Sequence, residues 1–347
     1  MNWPHLLVVE PGLHGAIQDL GRPGRQRQGV NEGGALDPRA LHEGAALLGQ
    51  EPGLAALEMT LVGGTFRAEG APLRVALTGA RCPATVDGRP VAWHTAFTLE
   101  PGQVLAVGKA EDGLYAYLHL AGGIDVPEVL GSRSTHLRAG FGGLEGREIR
   151  AGDHLVAGAP SATDEVAVLD LAPTPPPQTI RVLPGVHEEE FEADERQRFY
   201  ATTFTLSPKR DRMGVRLDGA APFTPARGRT LISDAVVLGD VQVPGDGQPI
   251  VLLADRQPTG GYPRIATVIT ADLAAFAQLA TGATVRFAEV SPGDAVAALR
   301  EFRARLEDLP RHVRRRSAVD PLLAVNLIDG VYEGDEDRDG EDRGGED

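Results

Sequence analysis

Residues 239–263 read GDVQVPGDGQPIVLLADRQPTGGYP. The apolar run at 250–254 is bounded by Pro244-Gly245-Asp246-Gly247 on one side and by Pro258-Thr259-Gly260-Gly261 on the other. Turn formers on both flanks of so short a run predict a buried strand. That strand delivers Asp255, Arg256 and Gln257 together at its end. The Thr259-Gly260-Gly261 turn then offers backbone N–H groups that can form an anion-binding nest. In such a cluster Asp255 serves as acid or base, Arg256 as an anion clamp and Tyr262 as a lid or stacking group. A tight turn with a capped Asp255 is the purely structural alternative.

The same punctuation runs outward through the chain. Its 43 glycines and 26 prolines fall between short apolar runs, which predicts strands at 6–9, 73–78, 104–107, 114–120, 180–183, 250–254 and 265–270. A glycine turn followed by a strand recurs at Gly102, Gly152 and Gly282, as ordinary β-turns would give. Helices are few. Asp37-Pro38, an apolar stripe through Leu48, then Gly49 combine an N-cap, a proline at the first position and a terminating glycine. Asp272 opens a second helix through Leu279. Residues 292–308 carry the longest helical pattern, with Ala295, Ala298, Leu299, Phe302 and Leu306 on one side. Strand-rich sequence with few crossover helices predicts a mainly β chain of two β-rich domains rather than a doubly wound sheet. The expected division is an N-terminal β-rich domain at 1–172, a stiff Pro-rich linker at 173–179 and a C-terminal β-rich domain with a terminal helix at 180–308. A basic extension at 309–332 and a disordered acidic tail at 333–347 complete it.

The net charge of −15 is unevenly placed, because nine carboxylates against two arginines in residues 333–347 supply −7 of it. An acidic chain with 5% aromatic residues is a poor candidate for nucleic acid, which needs clustered cations or stacking platforms. No apolar run approaches the roughly 20 residues of a membrane span. The start, MNWPHLLVVEPG, lacks a basic segment, and Cys82 is the one cysteine, so a reducing, cytoplasmic setting is expected. Single, scattered histidines and the absence of HExxH lead to no expected metal site. GxxxxGKS/T, a helix-opening GxGxxG and GxSxG are absent as well.

Two further clusters stand out. Gln18-Asp19-Leu20-Gly21-Arg22-Pro23-Gly24 places an arginine between glycines, so its fork either points outward to a carboxylate or phosphate, or pairs with Asp19 to staple the turn. In residues 211–219, DRMGVRLDG, the alternation puts Arg212, Gly214, Arg216 and Asp218 on one strand face and Met213, Val215 and Leu217 on the other. That charged face is either solvated or ends beside a cleft.

The motifs GLHGAIQDLGRPG (12–24), GALDPRAL (34–41), AALEMTLVGG (55–64), AGGID (121–125), GSRST (131–135), DRMGVRLDG (211–219) and the 241–268 stretch occur in one order. Over about 300 residues the chain resembles the 5-oxoprolinase C-subunit family, also called allophanate-hydrolase subunit 2 or KipI antagonist. The urea-amidolyase carboxyltransferase domain belongs to the same group. It departs from the family's usual QTTGGY at Pro258 and from GSIQVP at Asp240 and Val241. The resemblance implies a cyclophilin-like β-barrel. It further implies partnership with the other two 5-oxoprolinase components, a KipI-type B protein and an A protein, in ATP-dependent opening of 5-oxoproline to L-glutamate. ATP would be held by this chain or by a partner. Asp255, Arg256 and Arg22 are the candidate catalytic residues. Gln18, Asp19, Arg212, Gln248, Gln257, Thr259, Gly260, Gly261 and Tyr262 are the candidate substrate or anion contacts. The alternatives are a biotin-dependent carboxyltransferase component and a non-catalytic binding protein. Neither Lys109 nor Lys209 lies between methionines, so no covalent biotin is expected on this chain.

Overall fold

Strand Asp112–Leu120 shows how the sequence builds its layers. Successive side chains in a strand point to opposite faces. Ala116, Leu118 and Leu120 enter one core with Leu6, Val8, Phe66 and Leu105, while Tyr115 and Tyr117 enter another with Phe204, Val215 and Val251. The strand is central to a seven-stranded sheet that also holds His14–Gln18, Ala56–Thr60, Leu73–Arg81, Thr95–Leu99, Glu165–Leu169 and Val313–Ser317. A six-stranded sheet packs against its first face, in the order His154–Val156, His5–Glu10, Thr65–Glu69, Val104–Val107, Ala84–Val86 and Arg89–Val91. The computed structural model describes residues 3–158, 165–172, 175–226 and 231–317.

Behind the second face lies a closed barrel of Thr179–Pro184, Arg264–Val268, Asp240–Gln242, Ile250–Leu252, Gly214–Asp218, Phe204–Asp211 and Thr284–Glu289. Thr179–Pro184 and Thr284–Glu289 close it through its one parallel pairing among the described residues. Phe199, Phe204, Phe223 and Phe287 are fully or nearly fully buried at its apolar centre, with the Phe199 and Phe287 rings stacked at 5.1 Å. The chain is thus mainly β, as its strand-rich sequence predicts, and it contains the closed barrel that the resemblance implies. Leu36, Ala40 and Leu41 join the barrel's core cluster, so the barrel and the sandwich share apolar packing.

Helix Pro38–Leu48 has the predicted ends: Asp37 accepts from the Arg39 and Ala40 amides, and Gly49 turns left-handed at φ 68°. Its Gly44 lies so close to the His119 ring that a Cβ would sit 2.4 Å from it. Helix Pro292–Asp308 opens with a Ser291/Asp294 capping box, and Ala298 is its buried residue. The helix expected from Asp272 spans Thr270–Gln278 instead. Asp272 is no cap, because its carboxylate accepts from the Arg181 amide, Nε and Nη2 at 2.9, 3.0 and 2.6 Å. Helix Ala193–Ala201 goes unpredicted, since Phe199 alone is buried in an otherwise polar segment. Gly102, Gly152 and Gly282 all adopt positive φ (95°, 90° and 84°) as β-turn glycines.

Beyond residue 308 the chain makes a 3-10 turn, Leu309–His312, and the edge strand Val313–Ser317, paired antiparallel with Glu165–Leu169. Arg314 meets Asp170 at 2.5 Å. Residues 173–174 of the expected linker and the acidic stretch 333–347 lie outside the described residues. Among the described residues no helix is long and apolar enough to cross a membrane.

Candidate functional site

The hairpin joining Phe204–Asp211 to Gly214–Asp218 turns through Arg212 and Met213. Asp211 braces the turn by accepting from the Met213 and Gly214 amides at 2.7 and 3.2 Å. Arg212 therefore lies in the turn and not on the strand face that alternation assigns it. Val215 and Leu217 do enter the barrel core. From the turn the Arg212 guanidinium grips Asp255 with two bonds, Nε to Oδ2 at 2.9 Å and Nη2 to Oδ1 at 3.1 Å. It also donates to Gly34 O at 2.7 Å and, through Nη1, to Glu58. The Asp255 amide returns a bond to Arg212 O at 2.8 Å. Strand Ile250–Leu252 ends three residues before Asp255, two earlier than the apolar run suggests, and this backbone bond fixes the carboxylate there.

Alternation along Ala56–Thr60 sends Leu57 and Met59 to the sandwich core and turns Glu58 toward the barrel. Glu58 Oε2 accepts from Tyr117 Oη at 2.7 Å and from the Leu36 amide at 2.9 Å. Arg212 thus spans two carboxylates that are 2% and 4% exposed. Burial alone would lower its pKa, but Glu58 and Asp255 outweigh that and hold it above the ordinary arginine value. Each nitrogen of the fork has a partner, which accounts for four of its five N–H donors, so the main work of Arg212 here is to order the two acids.

Arg22 is 1% exposed, against the expectation of an outward-pointing fork. Its Nη2 donates to Ser134 O and its Nε to Val129 O, and its guanidinium lies 5.0 Å over the Phe141 ring. Burial lowers its pKa, with Asp19 and Asp255 opposing. Asp19 does not staple Arg22: its carboxylate accepts from the Ser132 and Ser134 hydroxyls and from the Gly21 and Arg133 amides. Gln18 donates to Thr135 O at 3.1 Å. Asn31 Nδ2 donates to Arg256 O.

Arg22 Nη1, Asn31 Oδ1 and Arg256 Nη1 are buried without a hydrogen-bond partner among the described residues. Gly33, at φ 60°, marks where some of these atoms meet. A Cβ there would lie 3.2 Å from Arg22 Nη1, 3.9 Å from Asp255 Oδ1 and 4.0 Å from Asn31 Oδ1. A donor, a carboxylate and an amide oxygen converge on one small space that glycine leaves open. Buried polar atoms left unpaired cost roughly 1–3 kcal/mol each, so such a set suits a polar ligand.

A cleft of about 700 Å³ opens at the junction of sheet and barrel, lined in part by Glu58, Tyr115, Arg138, Arg210, Arg212 and Asp255. The Arg210–Met213 segment separates it from a second cleft of about 400 Å³, which Arg216, Gln242, Gln257 and Tyr262 line. Gln257 and Tyr262 therefore sit on the far side of the hairpin from Glu58. Gln248 bonds Ala220 O at 3.3 Å and lines neither cleft. Thr259–Gly260 pairs with Asp234–Ala235 as a short antiparallel ladder, and Gly261 O accepts from Leu231 N. That extended backbone lacks the alternating handedness a nest requires. Arg256 is 2% exposed, with Nη2 4.0 Å from Glu32. Sequence reasoning missed Glu58 and Asn31. The available signal was a lone acid in the apolar strand LEMTL and glycines beside Asn31.

Residues 28–289 match the family model described as carboxyltransferase domain, subdomain A and B. The 5-oxoprolinase C-subunit of Haemophilus influenzae is 38% identical over 312 residues, which is 89% of this chain and 99% of that protein. Its Escherichia coli namesake is 38% identical over 306 residues, 88% of this chain and 97% of that protein. The crystal structure of the K. lactis urea amidolyase matches with a TM-score of 0.79 at 27% identity, over 88% of this chain. This chain spans 20% of that enzyme's length. With most of its length inside the family model and two relatives matched nearly end to end, the chain belongs to the carboxyltransferase domain A and B family, alongside the 5-oxoprolinase C-subunit proteins.

Proposed function

We propose that the chain is the C-subunit of an ATP-dependent 5-oxoprolinase, acting with a KipI-type B protein and an A protein as the other two components. The observation that carries this reading is Asp255, clamped through both oxygens by Arg212 and opening into the 700 Å³ cleft, in a chain that spans 99% of a relative so named. A lactam is a poor electrophile. Transfer of the ATP γ-phosphoryl group to its oxygen would activate the carbon. Water then adds, the C–N bond breaks with the nitrogen taking a proton, and a second water hydrolyses the resulting γ-glutamyl phosphate. Asp255 is suited to take the proton of the attacking water, since its geometry is fixed before substrate arrives. Arg22 Nη1 and Asn31 Oδ1 supply a donor and an acceptor for the substrate's polar groups.

The test is Asp255→Asn in the complete complex, with oxoproline-dependent ADP release measured. Loss of general-base action lowers turnover by about 10²–10⁴-fold. Turnover like the wild type removes Asp255 from the chemistry. A second reading, carboxyl transfer to urea from a separate biotin carrier, is favoured by the family model and the urea amidolyase likeness. Urea-dependent turnover with carboxybiotin, and none with 5-oxoproline, decides for it. Partner binding without turnover on either substrate decides for a non-catalytic role.

A further inference from the structure

His5, Glu69 and His154 come from distant parts of the sequence and meet on three neighbouring strands, away from the cleft. Register places His5 directly opposite Glu69 and opposite Val156, two residues along from His154. Directly paired residues and those two apart share a face, so all three side chains project from one side of the sheet. The intervening Leu6, Ala68 and Leu155 face the core on the other side.

Hydrogen bonding prepares this triad. His5 Nδ1 lies 2.9 Å from Trp3 O. A carbonyl only accepts, so Nδ1 carries the proton and a neutral ring presents its Nε2 lone pair outward. That Nε2 meets Glu69 Oε2 at 3.3 Å. Two acceptors at this distance repel unless a positive species lies between them. Arg67 occupies the other carboxylate oxygen, Oε1, from Nε at 3.0 Å and Nη2 at 2.9 Å, leaving Oε2 for His5. The His154 ring centroid is 5.0 Å from that of His5, and one ligand atom from each of the three residues lies within 4.8 Å of the others.

We infer that His5, Glu69 and His154 form a binding site for a divalent transition-metal ion of the zinc class. Bonds of about 2.0–2.1 Å in a tetrahedron put ligand atoms roughly 3.4 Å apart, close to the 3.3 Å between His5 and Glu69. His154 is exposed and rotates to complete the set. Two imidazoles and one carboxylate suit zinc, and they leave a fourth position for water. The Trp3 carbonyl orients His5 from behind as an outer partner does. Arg67 weakens Glu69 as a donor, which sets the affinity below that of an all-cysteine site. An ion here ties strand His5–Glu10 to both neighbours, so it stabilises the folded sheet by mass action.

Zn²⁺ titrated into the untagged full chain against a chromophoric chelator tests the site, with Co²⁺ absorption reporting coordination. The expected result is one equivalent of bound metal, a rise in Tm with Zn²⁺, and the visible bands of four-coordinate Co²⁺. His154→Gln, a change at an exposed position, lowers affinity by about 100-fold or more, and Glu69→Gln abolishes the Co²⁺ bands. Equal affinity in wild type and His154→Gln, or no stoichiometric site in wild type, overturns the proposal. A proton alone then joins His5 to Glu69.

Discussion

Replacing Arg212 by methionine removes the one cation between Glu58 and Asp255 while keeping the bulk of the side chain. The guanidinium makes three charge-assisted bonds to these carboxylates and one bond to Gly34 O. Bonds to charged groups contribute about 1.5–3 kcal/mol each, but they are not additive, and burying the arginine offsets part of them. The larger effect is what remains: two carboxylates, 2% and 4% exposed, with their shared counter-ion gone. Breaking a buried pair from one side costs about 3–5 kcal/mol, a large share of the roughly 5–15 kcal/mol that holds a domain folded. Urea unfolding at pH 7 reads this as a lower midpoint with an unchanged m-value. Adding Glu58→Gln and Asp255→Asn to Arg212→Met should recover part of the stability, because neither carboxylate is then left charged without its partner. Arg212→Lys should fall between, having a charge but no fork to span Asp255. A triple variant no more stable than Arg212→Met, or a loss below about 1 kcal/mol in the single variant, refutes the electrostatic account.

Two other predictions concern groups outside the cleft. His119 is 2% exposed, bonded to Thr78 Oγ1 at 2.7 Å, and burial lowers its pKa to about 4, with Glu43 opposing. Between pH 6.5 and 4 the unfolded chain takes up a proton that the folded chain refuses. Stability therefore falls as pH drops through that window, by up to about 3 kcal/mol from this group, and is independent of it above. Burial displaces His42, His136 and His187 in the same direction, so the test is a difference: His119→Gln should flatten the pH dependence of the urea midpoint, and parallel curves would count against it. Cys82 is 3% exposed, and burial, aided by Asp112 and Glu111, pushes its thiol up to about 12. Iodoacetamide at pH 8 should leave it unmodified until urea unfolds the chain. Rapid alkylation of the native protein would contradict that burial.

What was legible in the sequence was local. Asp37-Pro38 with Gly49 act through backbone groups a few residues away, so the ends of that helix could be read directly, and helix Pro292–Asp308 followed from its apolar spacing. Strands such as Val104–Val107 followed from short apolar runs between turns. Helix Ala193–Ala201 escaped because a single buried Phe199 gives no period to read. The helix expected to open at Asp272 starts two residues earlier, at Thr270, and the Asp272 carboxylate goes to Arg181, 91 residues away in sequence.

The candidate site was legible only in its membership. Sequence singled out Arg22, Arg212, Asp255 and Arg256, and the structure brings Arg22 and Asp255 together at Gly33 and Asp255 onto Arg212. It could not show that Arg22 and Arg256 are buried, that Arg212 bridges two acids, or that Glu58 completes the cluster from 154 residues away. The same holds for His5, Glu69 and His154, three unremarkable positions until neighbouring strands align them. Caps, turns and alternation are decided by nearest neighbours along the chain, and the sequence determines them by itself. Burial and the pairing of charges depend on which distant strands the barrel and sandwich bring into register, and only the tertiary structure settles them.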